Sequence, residues 1–459
     1  MGADEARVLL GRAAFGATEA ELRSFAVLPR TQAVEWLLSD ARTQAQTPPP
    51  EWADRFVRPP RKQMSEAERK AFQREQIEKG VALRAWWYRE MLTTPSPLAE
   101  KMTLFWHNHF TSSQQKVKSP VLLYRQNVLL RRHALGNFSE LLRAIAKDPA
   151  MLVYLDNVSN RKRQPNENFA REVMELFTLG EGHYSENDIR EAARAFTGWS
   201  IDRDTGAFRV YRMAHDDGVK TVLGKSGRFD GDDVIDILLA QRRTAEFVAA
   251  KLWREFISPT PQEKEIQRIA AVFRDSGYDI KVALRAVLTH DALYAPDNRG
   301  TLVKSPVEFL VGTMRTFAIR AVEPWPLVLA GRQLGQDIFG PPNVKGWPGG
   351  EYWINSQTLL ARKQIVERLF RAEEMPVAGA VSMRPTDDGE RRRRAMQALM
   401  AMRFDHARWL RAFSDDEARR RDEIERLVLP VAPLTASTVP SDQLAFVRNL
   451  VLDPSYQLK

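Results

Sequence analysis

A chain of 459 residues, 44% hydrophobic and 28% charged, is long enough to bury a large core and has the make-up of an ordinary globular protein. Its 68 Lys and Arg against 59 Asp and Glu leave +9, an excess that argues for no nucleic-acid partner because no recognised binding motif accompanies it. Cysteine is absent, which excludes disulfides, thiol catalysis and cysteine-ligated zinc.

No run of about 18 apolar residues occurs, so no transmembrane helix is expected. The start, Met1 to Arg7, lacks a basic region followed by an apolar stretch. No signal peptide is therefore expected, and the cytoplasm is the expected compartment.

Residues 4–42 read as short amphipathic helices carrying Leu9, Leu10, Leu22, Phe25, Val34 and Leu37, with Thr18 and Glu21 marking one start. A proline-rich loop fills 43–62. A long helix follows from Ser65 to Thr93, and Pro95 and Pro97 end it. The next helix carries Phe105-Trp106-His107-Asn108-His109-Phe110. Two histidines at i and i+2 point about 200° apart on a helix and cannot both ligate one metal there. His109, in line with Met102 and Phe105, reads as a core histidine with its hydrogen bonds satisfied. His107, in line with Glu100 and Thr103, is the catalytic candidate, although a lone histidine among aromatics is more often structural.

The densest stretch runs from Pro165 to Trp199. Asn166 suits a helix cap, and Phe169, Ala170, Val173, Leu176 and Phe177 form one apolar face at 100° per residue. Asn168, Glu172 and Glu175 then share a stripe at the edge of that face. Gly180 and Gly182 stop the helix, and Ser185 to Asp188 opens a second one with a capping box. The two should form an antiparallel hairpin. Glu172 and Glu175, one helix turn apart, either converge on a divalent metal or act as an acid/base pair. The competing reading pairs Glu172 with an arginine and leaves Glu175 in water. Asp156 and Asn157 add oxygen donors that turn chemistry explains equally well.

Phe208–Arg212 and Lys220–Leu223 look like two short strands of a β-hairpin spanning about 207–224. His215-Asp216-Asp217-Gly218 lies between them, either as metal ligands or as a tight Asp-Gly turn. The glycine-rich 224–231 stretch lacks the spacing of a phosphate-binding loop. Helical periodicity resumes over 232–294 and 305–335. In the irregular 335–353 stretch, Trp347, Tyr352 and Trp353 line a pocket or plug the loop onto the body. Residues 355–372 return to helix, 375–440 are polar with Arg391–Arg394 and Arg419–Arg421 on helices, and Leu444–Leu452 is a last amphipathic helix. The expected division is a helical body over 1–372 and a basic helical segment over 373–459 docking on it.

Phe105–Phe110, Pro165–Gly180, Glu191–Trp199, His215–Thr221 and Pro341–Gly350, taken in order, resemble the bacterial family catalogued as domain of unknown function 1800. The resemblance runs nearly end to end and implies a largely α-helical domain with no agreed activity. It also implies a partner, since members are often encoded beside an exported phosphatase-like family with twin-arginine signals, and joint export with it.

The expected fold is mainly α, a multi-helix globular body with a small β-hairpin insertion. The expected function is a metal-assisted, hydrolase-like enzyme. It gathers Asn168, Glu172, Glu175, His215 and Asp216 around a metal, with His107, Glu172 and Glu175 catalytic. The alternative is a non-catalytic partner or escort for that exported phosphatase-like protein.

Overall fold

Helix starts in this chain are written in short polar side chains. Thr18, Ser65, Ser185, Asp230 and Ser305 each accept from a backbone N–H three residues on, while the acidic residue there reaches back to the cap N–H. Helices follow one another from Ala3–Ala13 to Gln443–Leu452 in a computed structural model that describes residues 1–39, 42–57, 65–321, 323–370, 402, 404–434 and 442–459. The protein is mainly α. No helix among the described residues is long and apolar enough to cross a membrane.

The core gathers on the Pro97–His109 helix, where Met102 and Trp106 are wholly buried. A buried ionic knot ties this helix to two others. Glu100, 2% exposed, binds the guanidinium of Arg131 on the Pro120–His133 helix and accepts from Trp87 Nε1 at 2.9 Å on the Glu66–Thr93 helix. Arg131 also donates to Asn127 Oδ1 at 2.7 Å and stacks over Trp86. A charge this deep is tolerated because nearly every lone pair and N–H is matched.

A second central element, here the hub helix, runs from Asn168 to Leu179 and begins after Asn166 Oδ1 has accepted the Asn168 N–H at 3.0 Å. From Val173 to Leu179 it widens into a π-helix. Thr178 Oγ1 donates to Val173 O and Met174 O, and Gly180 N donates back to Glu175 O. The uniform 100° stripe read from the sequence therefore breaks after Glu172. Gly180 and the Ser185 capping box stand where the sequence places them, and the Glu186–Ala195 helix returns against the first.

The β structure differs from the expected pairing. Phe208–Val210 (β2) pairs antiparallel with Trp199–Ile201 (β1), and Lys220–Val222 (β3) pairs with Lys225–Gly227 (β4). There are thus two ribbons, with no ladder across His215–Gly218. Two local features decide this. Gly198, at φ +81°, lies so close to Tyr211 O that a Cβ would sit 2.7 Å from it, which brings the chain after β2 back onto β1. Leu223 and Gly224, at φ +47° and +77°, make a two-residue turn of type I′ that closes β3 on β4.

At the C-terminal end, Gln443–Leu452 packs on the Ser356–Phe370 helix, and Lys459 N donates to Leu302 O. Arg419–Arg421 sit on the Glu417–Val428 helix, while Arg391–Arg394 lie outside the described residues.

The ionic knot makes a prediction. Glu100→Ala leaves Arg131 charged and enclosed, so the variant should lose about 3–5 kcal/mol of unfolding free energy in a urea titration. A loss below about 1 kcal/mol would mean that the guanidinium finds water.

Candidate functional site

Three consecutive residues of the Phe105–Phe110 segment pin three separate pieces of the chain. His107 Nε2 accepts from Phe339 N–H at 3.1 Å. Asn108 Oδ1 accepts from Trp347 N–H at 2.8 Å while its Nδ2 donates to Trp347 O at 3.2 Å. His109 Nε2 meets Phe177 O at 3.1 Å. Because a carbonyl only accepts, Nε2 carries the proton and Nδ1 is left as an acceptor, which Lys251 Nζ reaches at 2.9 Å. Gly346, at φ +82°, permits the Asn108 clasp, since a Cβ there would fall 2.3 Å from Asn108 Oδ1.

These clasps shape two adjoining clefts. The first, of about 470 Å³, lies under the 345–353 loop, with Trp347 and Trp353 in its wall and Lys101, His109, Glu255, Glu308 and Lys459 around it. The second, of about 620 Å³, runs along the π-helix past Glu175, Leu176, Gly180, Arg243 and Phe247. Lys251, Arg254 and Lys345 line both.

Lys251 and Arg254 project from the Arg242–Phe256 helix, three residues apart. No carboxylate among the described residues pairs with either. Burial, with the nearby Arg254 charge, pushes the Lys251 amine down to about 8. Burial, with the Lys251 charge, lowers His109 well below its ordinary range, so the imidazole is a neutral acceptor. Behind them stands a compensated wall. Lys101 Nζ contacts Glu255 Oε1 at 2.8 Å and also Glu308, and Lys459 Nζ bonds the same two carboxylates. Burial alone would raise the Glu255 carboxyl, but Lys101 and Lys459 outweigh it and hold it at about 2.

The residues singled out in the sequence fall in different places. His107 is sealed at 1% exposure among Trp87, Phe339 and Trp347, and burial pushes it down to about 3. It is a neutral structural acceptor, and the histidine that borders open space is His109. Glu175 lines the second cleft, accepts from Tyr184 OH and stands 3.9 Å from Lys345 Nζ. Glu172 is 8% exposed, and its carboxyl is raised by burial and then by the Glu175 charge. Asn168 spends its amide on Leu155 O at 3.1 Å. His215 donates from Nδ1 to Thr197 O at 2.9 Å. Asp216 is held by Arg194 at 2.8 Å, which keeps its carboxyl down at about 2.

Of the six, then, Glu172 and Glu175 interact on one wall, His215 and Asp216 sit side by side on Thr197, and His107 and Asn168 are committed to backbone groups elsewhere. Among the described residues, no three of His, Asp and Glu are placed to hold one metal ion. Two of the three loop aromatics meet both expectations at once. Trp347 and Trp353 are buried against the body and form a cleft wall, whereas Tyr352 points to solvent at 79% exposure.

Lys251, Arg254 and Asn108 went unnoticed in the sequence. The signal for Lys251 was faint, a lysine four residues after Phe247 and flanked on its helix by Val248 and Leu252.

A family model described as "Protein of unknown function (DUF1800)" matches residues 8–458. No curated protein and no solved structure matches the chain.

Asn108→Ala leaves the Trp347 N–H and C=O without their shared partner. It should cost about 1–3 kcal/mol of stability. Deuterium exchange at the Trp347 amide should accelerate, with amides of the Glu417–Val428 helix unchanged. Exchange unaltered at Trp347 would count against the clasp.

Proposed function

The chain belongs to the DUF1800 family, whose description names no activity, and from its geometry we propose an enzyme that performs proton transfer on a small anionic substrate. One observation carries the reading. The Lys251 amine is half-buried, has no carboxylate partner among the described residues, is oriented by the neutral His109 imidazole, and opens onto both clefts.

A lysine whose burial brings it to about 8 is partly deprotonated at neutral pH, and its lone pair can then take a substrate proton. His109 does not compete for that proton, because its burial keeps it neutral. Lys251 and Arg254 together leave positive charge uncompensated at the mouth shared by the two clefts, which favours a carboxylate or phosphate on the substrate. Glu175 supplies the opposing acid/base group on the π-helix wall, with Glu172 buried one turn before it. The carboxylates thus keep the acid/base role read from their spacing, whereas Asp216 is committed to Arg194.

Limiting amounts of an amine-acylating reagent, with peptide mass spectrometry across pH, test this reading. Lys251 should label with a midpoint near 8, well below the ordinary lysine value of about 10.4. Phosphate or a small dicarboxylate should slow labelling at Lys251 alone. A midpoint for Lys251 in the ordinary range overturns the reading.

Linkage gives a second readout. The folded amine binds its proton less tightly than an unfolded lysine, so at this group stability rises with pH between about 8 and about 10.4. Lys251→Met should flatten that part of the curve.

A further inference from the structure

We propose that the pocket beside the β1–β2 ribbon docks an extended acidic peptide segment of another protein, anchored by one large apolar side chain. Its volume is about 970 Å³. Leu122, Val153, Val158 and Ile201 give it an apolar lining, and the chain leaving β2 forms a wall with Tyr211 and Met213. Met213 is 85% exposed, although it is a large apolar side chain beside an apolar hollow. A flexible thioether at the mouth of a pocket suits an adaptable contact with a visiting side chain.

The charge at this mouth is one-sided. Arg161, Lys162 and Arg163 project from a turn closed by Gln164 N donating to Arg161 O, and Arg203 lies in the loop joining β1 to β2. All four are exposed, and none makes a side-chain hydrogen bond or ion pair with a described residue. Neighbouring arginines are used otherwise, since Arg194 is committed to Asp216 and Arg209 to Asp202. The four free cations therefore call for negative charge from outside.

They sit on two separate loops, which fits several carboxylates spaced along a chain better than a single head group. The pocket is also wide-mouthed. A fatty chain lying in it would keep one flank wet, whereas a peptide needs to bury only its anchor and leaves its backbone in water. The acidic peptide is the occupant these features favour, and it uses no residue of the Lys251 clefts.

The test is fluorescence anisotropy with the full chain and a labelled synthetic peptide holding one Phe among Glu residues, beside a version with Gln for every Glu. The Glu peptide should bind at least about ten-fold more tightly than the Gln peptide, and its affinity should fall as salt rises. An Arg161→Glu/Arg163→Glu/Arg203→Glu variant should lose about ten-fold or more for the Glu peptide. Met213→Asp should weaken both peptides. All four positions are exposed, so the variants should keep the wild-type circular dichroism and unfolding midpoint. Equal binding of the two peptides, no binding of either, or undiminished binding to the charge-reversed variant overturns the proposal. So does tight binding of a fluorescent long-chain fatty carboxylate where the peptide fails, which would give the pocket to an amphiphile.

Discussion

The end of the hub helix must find donors for its last carbonyls, and much of the candidate site follows from how it does so. A helix C-terminus leaves four C=O groups without partners in its own ladder. Here the π-wound turns pass Glu175 O to Gly180 N, Phe177 O to the His109 ring and Leu179 O to Arg243 Nε at 3.0 Å. Each bond fixes a wall. The His109 bond sets the imidazole tautomer, and the tautomer decides that Lys251 is met by an acceptor. The Arg243 bond anchors the start of the helix that carries Lys251 and Arg254. A plain α-helix would close the turn at Val173–Leu179 differently and would not offer the same carbonyls. The insertion of a π-turn, which recurs at functional sites, is here the device that places a backbone oxygen against an imidazole.

Different parts of the molecule handle charge in opposite ways. Glu100 with Arg131, and Lys101 and Lys459 with Glu255 and Glu308, are buried sets in which each charge meets its opposite. Their desolvation is offset internally, and they specify how helices meet rather than recognise a ligand. Lys251 and Arg254 lack such a complement among the described residues, as do Arg161, Lys162, Arg163 and Arg203 at the ribbon. Uncompensated charge raises the free energy of the unliganded state, and an anionic ligand lowers it. The same physics gives different consequences by depth. Lys251 is half-buried, and desolvation lowers its proton affinity. The ribbon cations stay in water, where their charge is screened and favours an anionic neighbour only at short range.

How much of this the sequence carries depends on whether a feature is local. Capping residues, glycine stops and the 3.6 periodicity act within a few residues, and Thr18, Ser65, Ser185 and Gly180 stand where those rules put them. The mainly α fold is legible for that reason. The strand pairing is not, because Gly198 and the Leu223–Gly224 turn redirect the ribbons through backbone conformations that apolar alternation does not encode. The π-turn is hidden as well, since a 100° projection assumes the very winding that changes. For the site, the ranking of the two histidines followed amphipathic position. His107 and His109 both end up buried, and what separates them is which foreign segment each meets, Phe339 in one case and Phe177 with Lys251 in the other. A lysine on a helix flank carries no mark of its future burial, because the desolvation that lowers its proton affinity acts only once the rest of the chain has packed around it. Reactivity made by desolvation is a tertiary property, whereas a ligand-bearing motif is a local one. That is why the spacing of Glu172 and Glu175 is legible in the sequence and the burial of Lys251 is not.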